Sequence, residues 1–144
     1  MDTIYKSDNK RVFLTFDDGP SPVTSKILDI LKQENVKATF FIIGTNVDSR
    51  KDVVKRMYEE GHYLANHGYS HTYSKIYSSP QSVLDEYNEC NDKVKNAIEV
   101  PDYNSHLFRF PGGLAGGKYA EIKKEAKELL LQNNIVNVDW NALT

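Results

Sequence analysis

The chain has 144 residues, of which 40% are hydrophobic and 26% charged, and its formal net charge is −2. This length suits one domain with its own core, and the balanced charge gives no electrostatic reason to expect nucleic acid or an anionic membrane as a partner. The chain contains no apolar stretch of the roughly 20 residues that a membrane span needs. Its polar start lacks a signal peptide, so the protein is either cytosolic or has lost a leader.

The chain begins with a predicted strand, helix and strand. Residues 11–16 are mostly apolar and predict a buried strand. Ser21-Pro22 is typical of a helix N-cap with proline at the first helical position, and the apolar periodicity of this helix ends before Asn35. Residues 37–43 are mostly apolar and predict a second buried strand.

A second helix, a third strand and a long helix follow. Asp48 is the expected cap of the second helix, and residues 62–65 predict a short strand. Ser79-Pro80 repeats the cap-and-proline pattern at the start of a long amphipathic helix. Cys90 lies on the apolar stripe of this helix, so we expect it to fill the core. As the single cysteine, it provides neither an intrachain disulfide nor a thiolate zinc cluster.

The last third predicts a fourth strand at residues 106–110, an amphipathic helix at residues 118–131 and a fifth strand at residues 135–140. This alternation is typical of an α/β domain with a mainly parallel sheet, either doubly wound or closed as a (β/α) barrel. The fifth strand would leave an open edge. We therefore expect residues 1–144 to be the N-terminal majority of one longer domain, or a homo-oligomer that covers this edge.

Polar residues that a core does not need follow four of the predicted strands. They are Asp17 and Asp18 after the first strand, residues 66–71 after the third, residues 109–113 after the fourth, and residues 139–141 at the fifth. Because ligands bind at the carboxyl ends of parallel strands, we expect these groups to meet at one mouth.

His67 and His71 are four positions apart, a spacing that lets two imidazoles share one ion on a helical turn. Two imidazoles and the carboxylate of Asp18 are typical of a catalytic zinc site, although the same ligand set also holds iron. Asp17 is then free to take a proton from a water molecule that the ion activates.

Each pattern alone has a simpler explanation. Asp-Asp-Gly-Pro is a common turn, two histidines four apart are often solvated, and Arg109 alone would be a salt-bridge or surface arginine. Their coincidence at successive strand ends favours a site. His62 and His106 have no such partners, and we expect them to be structural or solvated.

The motifs TFDDGPS, HGYSH and RFPGG, in this order, resemble the first three motifs of the polysaccharide deacetylases, also called NodB-homology domains or carbohydrate esterase family 4. The resemblance includes KATFFIIG and EGHYLANH and covers most of the chain. It implies a distorted (β/α) barrel, incomplete in this chain. It also implies metal-dependent removal of N-acetyl groups from N-acetylglucosamine polymers such as peptidoglycan, chitin or exopolysaccharide, at an extracellular or cell-wall location.

The resemblance further implies a role for six residues. They are the catalytic base Asp17, the ligands Asp18, His67 and His71 of a divalent ion that is usually zinc, the base-orienting Arg109, and Gly112, whose N–H stabilises the developing oxyanion.

Several positions depart from the family pattern. Gly68 stands where many members have serine or threonine, so a hydroxyl is missing beside the histidines. Phe110 and Gly112 stand where many members have a second proline and a tyrosine, which predicts the loss of an aromatic wall of the sugar groove.

The fourth and fifth motifs are also affected. Either Asp139-Trp140 closes the fourth motif, or Trp140 opens it and the aspartate that pairs with Arg109 lies beyond Thr144. No histidine follows the fourth predicted strand, so the general acid of the fifth motif is absent and we expect the chain to be weak or inactive. An O-acetyl esterase and a non-catalytic carbohydrate-binding relative are the alternative functions.

Overall fold

The computed structural model describes residues 10–142. The expectations about a leader and about a segment beyond Thr144 concern residues outside this range. The described elements confirm the expected α/β class. The strands are β1 (Thr15–Gly19), β2 (Thr39–Ile42), β3 (Tyr63–Asn66), β4 (Leu107–Phe108) and β5 (Val136–Asn137). The helices are α1 (Thr24–Gln33), α2 (Lys51–Glu59), α3 (Tyr73–Ile76), α4 (Pro80–Ile98) and α5 (Ala120–Gln132).

Each strand pairs in parallel with the next one along the chain, in the order β1-β2-β3-β4-β5. A doubly wound sheet reverses its strand order at a switch point, whereas a barrel keeps the order of the chain. The sheet is therefore wound like a (β/α) barrel. Among residues 10–142, β1 pairs only with β2 and β5 only with β4, so both outer strands have an open side.

Helix α4 joins two apolar clusters that hold the helices on the sheet. Its C-terminal half, with Cys90 and Val94, packs in a cluster with β2, β3, α1 and α2. Its N-terminal half, with Val83 and Tyr87, packs in a second cluster with α3, α5 and β4. Cys90 is fully buried, as predicted, and burial raises the pKa of its thiol.

The first strand differs most from its prediction. β1 begins at Thr15 and not at residue 11, and Val12 and Phe13 are 85% and 64% exposed. The expected burial at residues 11–14 is therefore wrong. The pairing with β2 starts only where Leu14 accepts a hydrogen bond from the N–H of Thr39, and no described segment covers the other side of this strand.

The fourth and fifth strands are shorter than predicted, and just beyond each of them the pairing continues only as a single hydrogen bond. Arg109 donates its N–H to Asn66, and Val138 donates to Phe108. Beyond these bonds Pro111 has no N–H to donate, and Gly112 and Gly113 have positive φ angles that do not fit a strand.

Of the three helix starts predicted from capping residues, one is confirmed. Ser79 caps α4, because its hydroxyl accepts the N–H of Ser82 at 3.1 Å. Ser21 lies in a turn, and helix α1 begins three residues after it, at Thr24. Asp48 makes no cap, since its carboxylate pairs with Lys93 of α4 at 2.5 Å, and α2 begins only at residue 51.

Candidate active site

The two adjacent aspartates at the end of β1 face different partners. The pairing of β1 with β2 is irregular between Asp17 and Gly19, and Asp18 has a φ of 67°. Such a bulge redirects one side chain relative to its neighbour, and aspartate tolerates the left-handed region better than most residues. The Asn46 side chain donates to the carbonyl of Asp18 at 3.0 Å and so supports this conformation.

Asp18, His67 and His71 come together at the carboxyl ends of β1 and β3. One ligand atom from each lies within 4.8 Å of the others. Asp18 Oδ1 is 3.4 Å from the Nε2 atoms of both histidines. His71, like Asp18, has a positive φ, of 54°. Two of these three residues therefore hold a backbone conformation that few side chains adopt, which is a common feature of functional sites.

His67 is held in the form that binds metal ions. Its Nδ1 lies 2.6 Å from the carbonyl oxygen of Arg109. Because a carbonyl only accepts, Nδ1 carries the proton and the lone pair of Nε2 faces Asp18. Burial lowers the pKa of His67 and so favours the neutral imidazole.

The loop that carries the two histidines is held by Glu86 of α4, which the sequence motifs do not include. The buried carboxylate accepts the backbone N–H groups of Tyr69 and Ser70, both at 2.9 Å, and the hydroxyl of Ser70 at 2.5 Å. Asn66 adds a fourth bond by accepting the N–H of Gly68. In the sequence, only the helical periodicity of α4 points to Glu86, because it places this residue on the buried face of the helix.

Added zinc serves as a probe of the cluster of Asp18, His67 and His71. Replacing Glu86 with alanine is expected to weaken the binding of this probe about 10- to 100-fold, the usual cost of losing a group that orients metal ligands. Three donors of the loop would lose their acceptor. The measurement is chelator competition with E86A, with E86Q as a partial rescue and with exposed Glu89 of the same helix replaced as E89A for control. Equal zinc affinity in E86A and E89A would contradict this role.

The loop leaves little space for a side chain at Gly68. Its φ is +85°, and a Cβ there would lie 2.9 Å from Ile76 Cδ1 and 3.2 Å from Glu86 Oε2. Glu86 and Asn66 hold the loop where a hydroxyl is missing.

The loss of unfolding free energy caused by crowding at Gly68 can be measured separately from the loss caused by its strained backbone. Gly117 has a φ of +79° with no atom within 4 Å of an added Cβ. We expect G117A to lose about 1–2 kcal/mol of unfolding free energy from strain alone, and G68A roughly 2–4 kcal/mol because packing strain is added. Urea denaturation of both variants measures the difference. Equal losses would show that the neighbours of Gly68 yield freely.

Asp17 forms an ion pair with Arg109, which comes from the end of β4. Arg109 Nη1 donates to Asp17 Oδ1 at 2.8 Å and to Thr15 Oγ1 at 3.0 Å, and Nε donates to the carbonyl of Val138 at 2.9 Å. The Arg109 side chain is 3% exposed and that of Asp17 is 19% exposed. The Cζ atom of Arg109 also lies over two aromatic rings, 4.0 Å from the centroid of Phe41 and 5.0 Å from the centroid of Trp140.

Asp139 forms no ion pair or side-chain hydrogen bond with this arginine. Its carboxylate accepts the N–H of Leu114, at 3.1 Å for the nearer oxygen, and thus supports the loop after β4. Buried Lys123 of α5 donates to the carbonyl of Gly113 at 2.9 Å, and burial lowers the pKa of its ammonium group. These contacts hold the loop so that Gly112 is exposed between two buried neighbours.

The other two histidines lie away from this site. His62 is buried at the start of β3, where its Nδ1 accepts the N–H of Ala38 at 3.1 Å, and burial lowers its pKa. His106 is exposed, with its Nδ1 3.0 Å from the carbonyl of Asn134. Neither is one of the three metal-ligating candidates that cluster among the described residues.

No helix within residues 10–142 combines the length and apolar character needed to cross a membrane.

Comparison with known proteins gives consistent matches. The chain is 38% identical to a peptidoglycan-N-acetylglucosamine deacetylase, PgdA, of Listeria monocytogenes, over 92% of this chain and 27% of that protein. It is 40% identical to a chitooligosaccharide deacetylase of Rhizobium leguminosarum, over 63% of this chain and 42% of that protein. The solved structure of a Streptococcus mutans CE4 esterase matches with a TM-score of 0.83 and 37% identity, over 94% of this chain and 58% of that one.

The chain therefore spans less than two thirds of the length of each of these relatives. The sheet order agrees with the match to the CE4 structure, and that family has a distorted barrel. The family model for polysaccharide deacetylases matches residues 5–132, so the chain belongs to the polysaccharide deacetylase family.

Proposed function

We propose that the protein is a zinc-dependent hydrolase that removes N-acetyl groups from N-acetylglucosamine-containing polysaccharide. The observation that carries this proposal is the separation of two roles at one strand end. Asp18 joins two imidazoles within 4.8 Å, whereas the adjacent Asp17 is bound to Arg109 at 2.8 Å. Membership in the polysaccharide deacetylase family supports the same reaction class.

The donor chemistry of Asp18, His67 and His71 fits a zinc ion. One carboxylate oxygen and two neutral imidazole nitrogens are the ligands of many catalytic zinc sites. The protonated Nδ1 of His67 leaves its Nε2 free for the ion. When bound, the ion would supply Lewis acidity that lowers the pKa of water and polarises the acetyl carbonyl.

The remaining residues have roles that follow from their positions. Asp17 takes a proton from the attacking water, and the buried guanidinium of Arg109 orients its carboxylate through the 2.8 Å ion pair. The exposed Gly112 presents its N–H to the carbonyl oxygen as negative charge develops there. The departing amine needs a proton from a general acid. We propose that the acid lies beyond residues 1–144, which then form the N-terminal majority of the catalytic domain.

The test is acetate release from chitopentaose and peptidoglycan, measured with zinc and after chelation. The 144-residue chain is compared with a form extended by the C-terminal part of a relative's domain. We expect the extended form to be about 100- to 10,000-fold faster, as is usual for a general acid. Release from acetylated xylan only would favour an esterase. Zinc and glycan binding without turnover in both forms would favour a binding protein.

We propose that, when the 144-residue chain folds without the rest of its domain, a second copy of the chain covers the open edge at β5. Val136 and Trp140 are 41% and 37% exposed there, and an uncovered apolar strand invites pairing. Light scattering is expected to show a dimer at micromolar concentration, and a strictly monomeric, stable protein would refute this interface.

The proposed polymer substrate, with peptidoglycan deacetylases among the relatives, supports an extracellular or cell-wall location.

A further inference from the structure

The structure contains an aromatic residue where the motifs predict none. The sequence places Phe110 and Gly112 at the positions of the expected groove wall, but Phe110 is fully buried in the second apolar cluster. A Cβ built on Gly112 would lie 2.6 Å from the hydroxyl of Tyr73 and 3.1 Å from its Cζ. Tyr73, from the loop after the histidines, therefore occupies the space that a side chain at position 112 would need.

Tyr73 is supported on one side and open on the other. It begins α3, two residues after His71, and the two rings have centroids 5.9 Å apart. Its ring also packs edge-on against Tyr77, at 5.7 Å, and buried Tyr77 donates its hydroxyl to the carbonyl of Pro111 at 2.6 Å. The residue is still 42% exposed. The contacts fix the ring beside the metal-ligating candidates and the exposed Gly112.

An exposed aromatic ring with a fixed position is suited to bind the apolar face of a pyranose, since it supplies contact area at a low cost in conformational entropy. We propose that Tyr73 is a specificity-determining residue, whose ring forms the wall that holds the sugar to be deacetylated. This inference rests on the proposed function. The glycine at position 112 contributes to this wall, because its missing side chain leaves space for the ring of Tyr73.

The test is binding of chitotetraose by calorimetry, together with the kcat and KM of acetate release. Both are measured on the faster of the two forms compared above, the 144-residue chain and its extended form. Y73A is expected to weaken binding roughly 3- to 30-fold and to raise KM more than it lowers kcat, since a ring contact is lost. Y73F keeps the ring and is expected to bind within about twofold of the wild type. Zinc affinity should remain unchanged in both variants.

Two controls separate the ring contact from general damage. Tyr58 of α2 is 40% exposed and packs against Tyr103 in the other cluster, so Y58A should not change glycan binding. G112A should weaken binding more than G116A, because both positions have positive φ but an added Cβ at Gly116 meets no atom within 4 Å. In the Y73A background, this difference between G112A and G116A should disappear.

The outcomes distinguish the two proposals. If the wild type binds chitotetraose and releases acetate but Y73A behaves like Y58A, the inference about Tyr73 is wrong and the proposed function stands. If the wild type neither binds the glycan nor releases acetate, the proposed function is wrong and the inference is wrong with it.

Discussion

Replacing Asp17 with asparagine is expected to slow acetate release about 100- to 10,000-fold, because the proposed base is lost. Asparagine has the same shape and keeps an oxygen that can accept the 2.8 Å hydrogen bond from Arg109. The proton acceptor is therefore removed with little change in structure. The measurement is the initial rate of acetate release at saturating zinc, in the form of the chain with the higher turnover.

The control for D17N is D102N, which changes an exposed aspartate before β4, outside the site. D102N should keep the wild-type rate. D17N should keep the wild-type zinc affinity, since the ligand set is Asp18, His67 and His71 and does not include Asp17. A D17N variant that retains more than a tenth of the wild-type rate would mean that another group accepts the proton.

Replacing Arg109 with methionine is expected to cost about 3–5 kcal/mol of unfolding free energy, the usual cost of removing one member of a buried ion pair. The guanidinium joins β1, β4 and the end of β5 by donating to Asp17, Thr15 and Val138. Without it, the Asp17 carboxylate is left with little solvent and no partner charge. Urea denaturation of the metal-free protein measures the loss, and acetate release should fall as well because the base loses its orientation.

R56M is the matched control. Arg56 pairs with the carboxylates of Asp29 and Glu60, but its side chain is 31% exposed. Exposed ion pairs contribute about 0–1 kcal/mol, so R56M should cost far less than R109M. Similar losses in the two variants would show that the Arg109 pair contributes no more than a surface pair.

The sequence alone was sufficient for the α/β class and for the approximate positions of all five strands. Both follow from local patterns, since apolar runs and capping residues act over a few positions. It also placed Asp18, His67 and His71 at strand ends, where a parallel sheet brings them to one edge. Their 4.8 Å cluster needs only this topology and short loops.

Only the tertiary structure decided the contacts between distant segments. Nothing near Glu86 in the chain shows that its carboxylate accepts two N–H groups 16 and 17 residues away. Likewise, residues 12–14 are apolar and predicted the start of a buried strand, yet Val12 is 85% exposed, since burial depends on what packs against a strand.

Tyr73 and Gly112 show the same limit at the candidate site. The motif RFPGG predicts no aromatic wall, because a pattern reports only the residues within it. The Tyr73 ring reaches Gly112 from a loop almost 40 positions earlier, and the contact exists because parallel strands bring their loops together. Residue types and spacing determined which chemistry was available, whereas long-range packing determined which side chains surround it.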